Sequence, residues 1–280
     1  MELTHENKVE RFYSHGSDKR RFQEGGYLSF GYWTDEIIDY HQAAEALINH
    51  ILRFEKPLDG GMILNVACGY GSETLKIYEK ICPEKIICID ITESHIEYAK
   101  LQISSLNLSD RIHFKKMDAC KLSFPQDSFD YVIGIEGPAH FNTREVFLKK
   151  AYEVLKPNGI LLLSDILVDN TGAEKKLYNR IIGNFCAKFW YMPKANRMSV
   201  EEIKVLLNEI GFIIDSTESA GKNVYPGFSR YNLKLKSIRN AIRTRGIRIG
   251  LGLTLISWLL GYVYRRKMID YVFLRAIKRG

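Results

Sequence analysis

The sequence predicts an α/β protein, a mostly parallel seven-stranded sheet with helices on both faces and an α-helical cap. Three observations predict it. Apolar runs of strand length alternate with segments of helical period from about residue 60 to 166. The run Ile63-Leu64-Asn65-Val66-Ala67-Cys68 enters a glycine turn, Gly69-Tyr70-Gly71, and then a helical stretch. A second apolar run, Ile86-Ile87-Cys88-Ile89, ends in Asp90, about 20 residues after the glycines. At 280 residues, one large domain with an elaborated cap accounts for the chain.

Taken in order, residues 1–34 form an amino-terminal lid of irregular chain or short helices. It is rich in aromatics: Phe12, Tyr13, Tyr27, Phe30, Tyr32 and Trp33. Its first residues are polar, which is not the pattern of a signal peptide. The core, 35–170, opens with a helix over 35–54 that starts near Thr34-Asp35 and carries Ile37, Ile38, Ala44, Leu47, Ile48 and Ile51. Strands follow at about 62–67, 85–90, 111–117, 129–135 and 159–166, with helices at about 72–82, 93–106 and 143–155. Two cap insertions, 171–210 and 221–268, come next. Residues 172–191 read as an apolar-aromatic helix stopped by Met192-Pro193. Ser199 and Glu202 form a capping box for a helix ended by Gly211. Strands at 212–219 and 269–277 complete the sheet, with about 50 residues between them.

That second insertion holds Ile249 to Tyr264, an uncharged run flanked by Arg245, Arg248, Arg265, Arg266 and Lys267. A membrane span needs roughly 20 apolar residues, so the first expectation is a helical pair over the carboxyl edge of the sheet, with Trp258 and neighbouring leucines closing a cavity. A membrane-surface anchor through 245–267 and cover by a second subunit, as a homodimer, remain open. Net charge is +7, and from Lys222 onward fourteen basic residues face one acid, Asp270. Such a tail can attract nucleic acid, an anionic membrane or an anionic substrate. Aromatics are not interleaved with the bases in a nucleic-acid-binding module, so no nucleic-acid partner is expected. The five cysteines include no Cys-x-x-Cys pair. They read as reduced core residues of a cytoplasmic protein, peripheral to a membrane if the apolar run is an anchor, with no metal site.

The chemistry is concentrated where parallel strands end. Strand, glycine turn, helix, strand and acid make a nucleoside-binding unit. The third glycine of a dinucleotide site is replaced by Thr74, and Glu73 would repel a pyrophosphate. The fourth strand ends in Ile135-Glu136-Gly137-Pro138-Ala139-His140, the fifth in Ser164-Asp165. A histidine beside an aspartate is a base with an orienting partner, suited to removing a hydroxyl proton near neutral pH. His95 reads as structural.

This order of motifs resembles class I S-adenosylmethionine-dependent methyltransferases over roughly residues 60–170, which implies a Rossmann-like seven-stranded sheet, mostly parallel with its last strand antiparallel. The match includes the glycine turn, with Asn65 where an acid is more usual, Met117-Asp118-Ala119, Ser128-Phe129-Asp130-Tyr131-Val132-Ile133 and Val154-Leu155-Lys156-Pro157-Asn158-Gly159. Phe30-Gly31-Tyr32-Trp33 and the Glu136–His140 segment are similar to the small-molecule branch, which includes rebeccamycin sugar O-methyltransferase and sterol and tocopherol C-methyltransferases. The resemblance implies S-adenosyl-L-methionine held by Tyr32, Asn65, Ala67, Gly69, Gly71, Asp90, Ile91, Asp118, Ala119 and Glu136. It implies His140 as base with Asp165 as partner, or Glu136 as base for carbon methylation. Trp190, Tyr191, Tyr225 and Trp258 are the expected contacts to a small apolar or anionic substrate. Asp169-Asn170 resembles the metal-binding pair of catechol O-methyltransferases but falls four residues beyond Asp165. No Asn-Pro-Pro-Tyr tetrapeptide follows the fourth strand, against amino-methylation of adenine or glutamine.

Overall fold

The computed structural model describes residues 3–14, 25–58, 60–169 and 177–280. Residues 172–176 of the expected cap helix, and Asn170, lie outside the described residues. In chain order the elements are α1 (His5–Ser14), α2 (Tyr40–Ile51), β1 (Met62–Val66), α3 (Ser72–Ile81), β2 (Lys85–Asp90), α4 (Glu93–Ser105), β3 (Ile112–Lys116), β4 (Phe129–Ile135), α5 (Arg144–Val154) and β5 (Leu155–Val168). There follow α6 (Leu177–Phe189), α7 (Val200–Ile210), β6 (Phe212–Ser219), α8 (Gly221–Asn232), α9 (Leu235–Arg245), α10 (Ile247–Arg265) and β7 (Ile269–Lys278). The strands make one sheet in the order β3-β2-β1-β4-β5-β7-β6, with β7 antiparallel to both of its neighbours. Chain direction reverses its spatial progress between β1 and β4, the crevice where open α/β sheets take ligands.

The central strands are apolar on both faces because helices cover both. On one face Ile63, Ile86 and Ile133 meet Leu47 and Ile48 of α2, Ile77 of α3 and Ile96 of α4. On the other, Leu64, Val132 and Leu161 meet Phe147 and Leu148 of α5 and Ile203 and Leu207 of α7. Asn65 belongs to this framework: it is buried in β1 and donates from Nδ2 to Thr74 Oγ1 at 2.9 Å, fastening α3 to the strand.

Local chemistry explains where elements begin. Helix α2 starts at Tyr40 rather than at Asp35, because Asp39 is the residue that caps it, its Oδ1 accepting from Gln42 N–H at 3.0 Å. Ile37 and Ile38 therefore precede the helix, and Ile38 is exposed. The Ser199–Glu202 capping box opens α7 as expected. Strand β5 begins at Leu155, ahead of the expected 159, since Leu155 already pairs with Phe129 before the register shifts and resumes at Ile160 opposite Tyr131.

The insertion between β6 and β7 is three helices rather than a pair. Helix α8 lies directly on Trp33: a Cβ at Gly227 would fall 2.1 Å from that ring. Helices α9 and α10 cross closely at Gly250, where a Cβ would meet Ile242 N at 2.7 Å. The uncharged run lies within α10, which packs on α6 through Ile256, Leu259 and Val263 against Cys186, Ile182 and Phe189. Trp258, expected to close a cavity, stacks on Tyr262 on the outer side and is 46% exposed.

One polar knot ties the end of the sheet to the loop beyond β4. Arg144, fully buried, donates from Nε to Asp165 Oδ2 at 2.7 Å, from Nη2 to the Ile166 carbonyl at 3.1 Å, and from Nη1 to the Asn196 carbonyl. Asn196 accepts from Arg144 N–H at 2.8 Å and donates to the carbonyls of Ala139 and Phe141 at 3.1 and 2.7 Å. Removing one partner of a buried ion pair strands the other charge. Arg144→Ala should therefore lower unfolding free energy by about 3–5 kcal/mol in a urea titration, and a loss below ~1 kcal/mol would mean that the knot is not structural.

Candidate active site

A cavity opens at the carboxyl ends of β1, β2 and β4 and runs outward to the cap. Its inner end is made by turns that the sequence forces into unusual backbone. Gly69 has φ of +52° and faces the cavity; Gly71, at +84°, caps α3. Gly71 does not line the cavity: a Cβ there would meet Ala99 and Phe114 at 3.1 Å, so its role is the turn and the packing of α3. Two non-glycine residues of the cavity wall share the left-handed conformation, Ala67 after β1 and Glu136 after β4, with φ of +54° and +57°. Both line the cavity, and such strain is tolerated where surrounding contacts over-determine it.

Asp90 is buried at the end of β2. Its Oδ2 accepts from Gly69 N–H at 2.9 Å and Oδ1 from Thr92 N–H at 2.8 Å. Burial raises its pKa, but His95 and these two amides outweigh it and hold the group below the usual aspartate range. Each carboxylate oxygen has a second lone pair, so Asp90 can still accept from two ligand hydroxyls. His95 Nδ1 lies 3.5 Å from Asp90 Oδ1. His95 Nε2 and Ser29 Oγ are buried and have no hydrogen-bond partner among the described residues. Both residues line the cavity. Buried polar atoms are normally satisfied, so these mark where a polar ligand belongs. Asp118 and Ala119 lie on the same wall, with Asp118 Oδ1 accepting from Cys120 N–H at 2.9 Å. Ile91 lines it too.

The resident group that fits is S-adenosyl-L-methionine. Asp90, with His95, would take the ribose hydroxyls; Asp118 would take the adenine amino group; Ala67, Gly69 and Ser29 would face the amino-acid end. Glu73 is buried and Glu136 partly buried, and desolvation pushes each up to about 8. A ligand carrying a sulfonium charge would draw such groups back toward ionisation.

His140 lies beyond β4 on the loop held by the Arg144 knot. Its Nδ1 is 2.6 Å from the Trp190 carbonyl, which can only accept, so Nδ1 carries the proton. Nε2 then accepts from the Tyr13 hydroxyl of α1 at 3.0 Å. Burial lowers the His140 pKa to about 4, although the Trp190 carbonyl bond opposes this. Helix α1 is drawn over the cavity by further bonds: Lys116 Nζ to Glu10 Oε1 at 2.7 Å, Asn142 Nδ2 to Glu6 Oε1 at 3.2 Å, and His5 Nε2 to the His140 carbonyl at 2.8 Å. Glu136 Oε1 accepts from Phe30 N–H at 2.8 Å and Tyr271 hydroxyl at 2.9 Å.

Several sequence expectations are corrected here. Asp165 is engaged by Arg144, and its role as partner of His140 passes to the Trp190 carbonyl. Tyr32 does not line the cavity: its ring stacks on His50 at 4.3 Å, and Leu28, Ser29 and Phe30 of the same segment face the cavity instead. Asn65 is held by Thr74 behind the turn. Of the four substrate aromatics, Trp190 lines the cavity. Tyr225 is buried behind Phe30, Tyr191 meets Phe12, and Trp258 faces outward. The residues missed are Ser29, His95 and Tyr13. His95 had a signal, since it lies in the first turn of the helix that follows Asp90. Tyr13 had none, because its contact spans 127 residues.

Residues 63–159 match the family model for a methyltransferase domain. With the fold and the nucleoside-binding cleft, that makes the protein an S-adenosylmethionine-dependent methyltransferase. It is similar to erythromycin 3''-O-methyltransferase of Saccharopolyspora erythraea, 29% identical over 222 residues that cover 78% of this chain and 72% of that protein. In fold it is similar to the [4+2]-cyclase SpnF (TM-score 0.76, 20% identity, 99% and 97% of the two chains). It is likewise similar to a geranyl diphosphate methyltransferase bound to its diphosphate and sinefungin (TM-score 0.79, 11% identity, 98% and 100%).

Asp90→Ala should weaken S-adenosylhomocysteine binding by about 1–3 kcal/mol, the scale for charge-assisted hydrogen bonds, and His95→Ala by about 1 kcal/mol. Asn65→Ala should leave affinity within ~0.5 kcal/mol of wild type while lowering stability. Calorimetry and thermal unfolding on the three variants separate the two outcomes, and unchanged affinity in Asp90→Ala would remove it from the site.

Proposed function

We propose that this enzyme methylates a hydroxyl of a small, largely apolar natural product, with His140 as general base. The observation that carries the reading is the fixed tautomer of His140, whose Nε2 lone pair is presented at the cavity. The cofactor supplies an electrophilic methyl group on sulfur. The protein's part is to orient the acceptor, exclude water and receive one proton. Val9, Phe12, Phe30, Trp190, Phe228 and Ile256 give the cavity apolar walls. An acceptor hydroxyl would take the place that the Tyr13 hydroxyl holds against His140 Nε2. The proton then resides on the imidazole, whose opposite nitrogen remains against the Trp190 carbonyl. The O-methyl transfer named for the erythromycin relative supports the same reading.

A second reading has its own observation. Glu136 is a partly buried carboxyl at the end of β4, bonded by Phe30 and Tyr271 and facing the cavity. Ionised, it could serve as base for methyl transfer to carbon, and the geranyl diphosphate methyltransferase shares the fold.

The pH profile separates the two. A base works unprotonated. With His140 at about 4, the rate should be flat through neutrality and fall only as pH drops through about 4; burial thus displaces the near-neutral titration expected from sequence. With Glu136 at about 8 before the cofactor binds, kcat/KM for the cofactor should instead rise as pH climbs through about 8. A base held so far below neutrality is always available but weak, so His140→Ala should lower turnover by about 10²-fold, the low end for acid–base catalysis, with cofactor affinity unchanged. Near-normal turnover in that variant, or a limb in that kcat/KM at about 8, would transfer the role to Glu136.

A further inference from the structure

We propose that α6 and α10 form a docking face for an anionic lipid bilayer, lying flat against it on the side of α10 opposite the substrate cavity. On α10, Ile247, Leu251, Leu255 and Trp258 recur once per turn and make one stripe. On α6, Leu177, Ile181 and Phe185 do the same. The relative exposures of these seven side chains run from 46% at Trp258 to 63% at Ile247. The two helices pack side by side through Ile182, Cys186 and Phe189 against Ile256, Leu259 and Val263, which makes the exposed stripes neighbours. A contiguous apolar surface of this kind is uncommon on a soluble monomer unless something covers it.

Charge selects the occupant. Arg180 and Lys188 flank the α6 stripe, and Arg248, Arg265 and Arg266 flank the stripe of α10. No Asp or Glu occurs between Glu218 and Asp270, or in α6. A second copy meeting this face would set one basic rim against another. Nucleic acid would satisfy the rim but not the aliphatic stripe. An anionic bilayer satisfies both, with apolar side chains entering the headgroup boundary and bases meeting the surface charge. The geometry favours lying on the membrane over crossing it. Helix α10 has 19 residues, rising about 28 Å, and 39% of its apolar window is buried against the protein. Its inner side supplies Leu253, Ile256 and Ser257 to the cavity, beside Asn240 and Ala241 of α9. An acceptor dissolved in lipid could then reach the cavity along α10, which both docks and lines it.

The test is flotation of the full chain with vesicles of phosphatidylcholine alone and of phosphatidylcholine mixed with phosphatidylglycerol, at low and high salt. Binding is expected only to the mixed vesicles and should weaken as salt rises. Arg248→Gln and Arg266→Gln should each reduce partitioning roughly fivefold. Leu255→Glu with Trp258→Glu should reduce it about tenfold or more, and brominated lipid should quench fluorescence in the wild type. All these positions are outside the cofactor cleft, so unchanged S-adenosylhomocysteine affinity certifies the fold of each variant. Three results would overturn the proposal: no flotation with mixed vesicles, flotation that survives Leu255→Glu with Trp258→Glu, or a stable dimer by light scattering that the same double variant dissolves.

Discussion

The interaction on which the rest of the site depends is the buried Arg144–Asp165 pair and its extension to Asn196. A guanidinium with no exposure to water is costly unless nearly every donor is met. Here three of its nitrogens find oxygen, on β5 and on the turn at Lys194–Asn196. Asn196 in turn grips the carbonyls on either side of His140. One side chain thus fixes the end of the sheet, the start of α5, and the loop that carries the candidate base. Asp165 supports the base through this loop rather than by touching it.

The cofactor end follows from a different constraint. Parallel strands place their carboxyl ends together, and the reversal between β1 and β4 leaves a crevice there. Ala67 and Glu136 both turn through the left-handed region as they leave those two strands. Gly137 completes the fit, since a Cβ there would come within 2.5 Å of Ala67 Cβ. The backbone is brought close enough that only small residues can stand at the junction. This leaves Asp90 anchored by amides from both sides and able to face outward to a ligand.

Much of this was legible in the sequence because it is local. The alternation of apolar strands and amphipathic helices, the glycine turn, Asp90 at its spacing and the Ser199–Glu202 cap each depend on neighbours in the chain. What was not legible depends on distance. The choice of Arg144 over His140 as partner of Asp165 is decided by helix α5 packing against β5. Tyr32 and Phe30 are two residues apart in an irregular segment, and only the folded path shows that Phe30 faces the cavity while Tyr32 turns toward His50. Trp258 lies in a stretch apolar all round, where periodicity cannot tell the side buried on α6 from the side left open. A resemblance to a family carries motif positions well and side-chain direction poorly, and Asn65 shows this: it occupies a motif position yet bonds Thr74 behind the turn.

Burial gives the two candidate bases opposite characters. His140 and Glu136 line the same cavity, and both are partly buried. Desolvation penalises the charged form of each, which drives the imidazole down to about 4 and the carboxyl up to about 8. At neutral pH the histidine is therefore the unprotonated group and the glutamate the protonated one. Only the first can accept a proton at once. The second must first lose its own, and a cationic ligand in the cleft is what would favour that loss. The chemistry open to this cavity thus turns on how closely the sulfonium approaches Glu136. An acceptor that brings its own acidic hydroxyl needs only His140, whereas an acceptor at carbon needs the cofactor's charge to prepare the carboxylate.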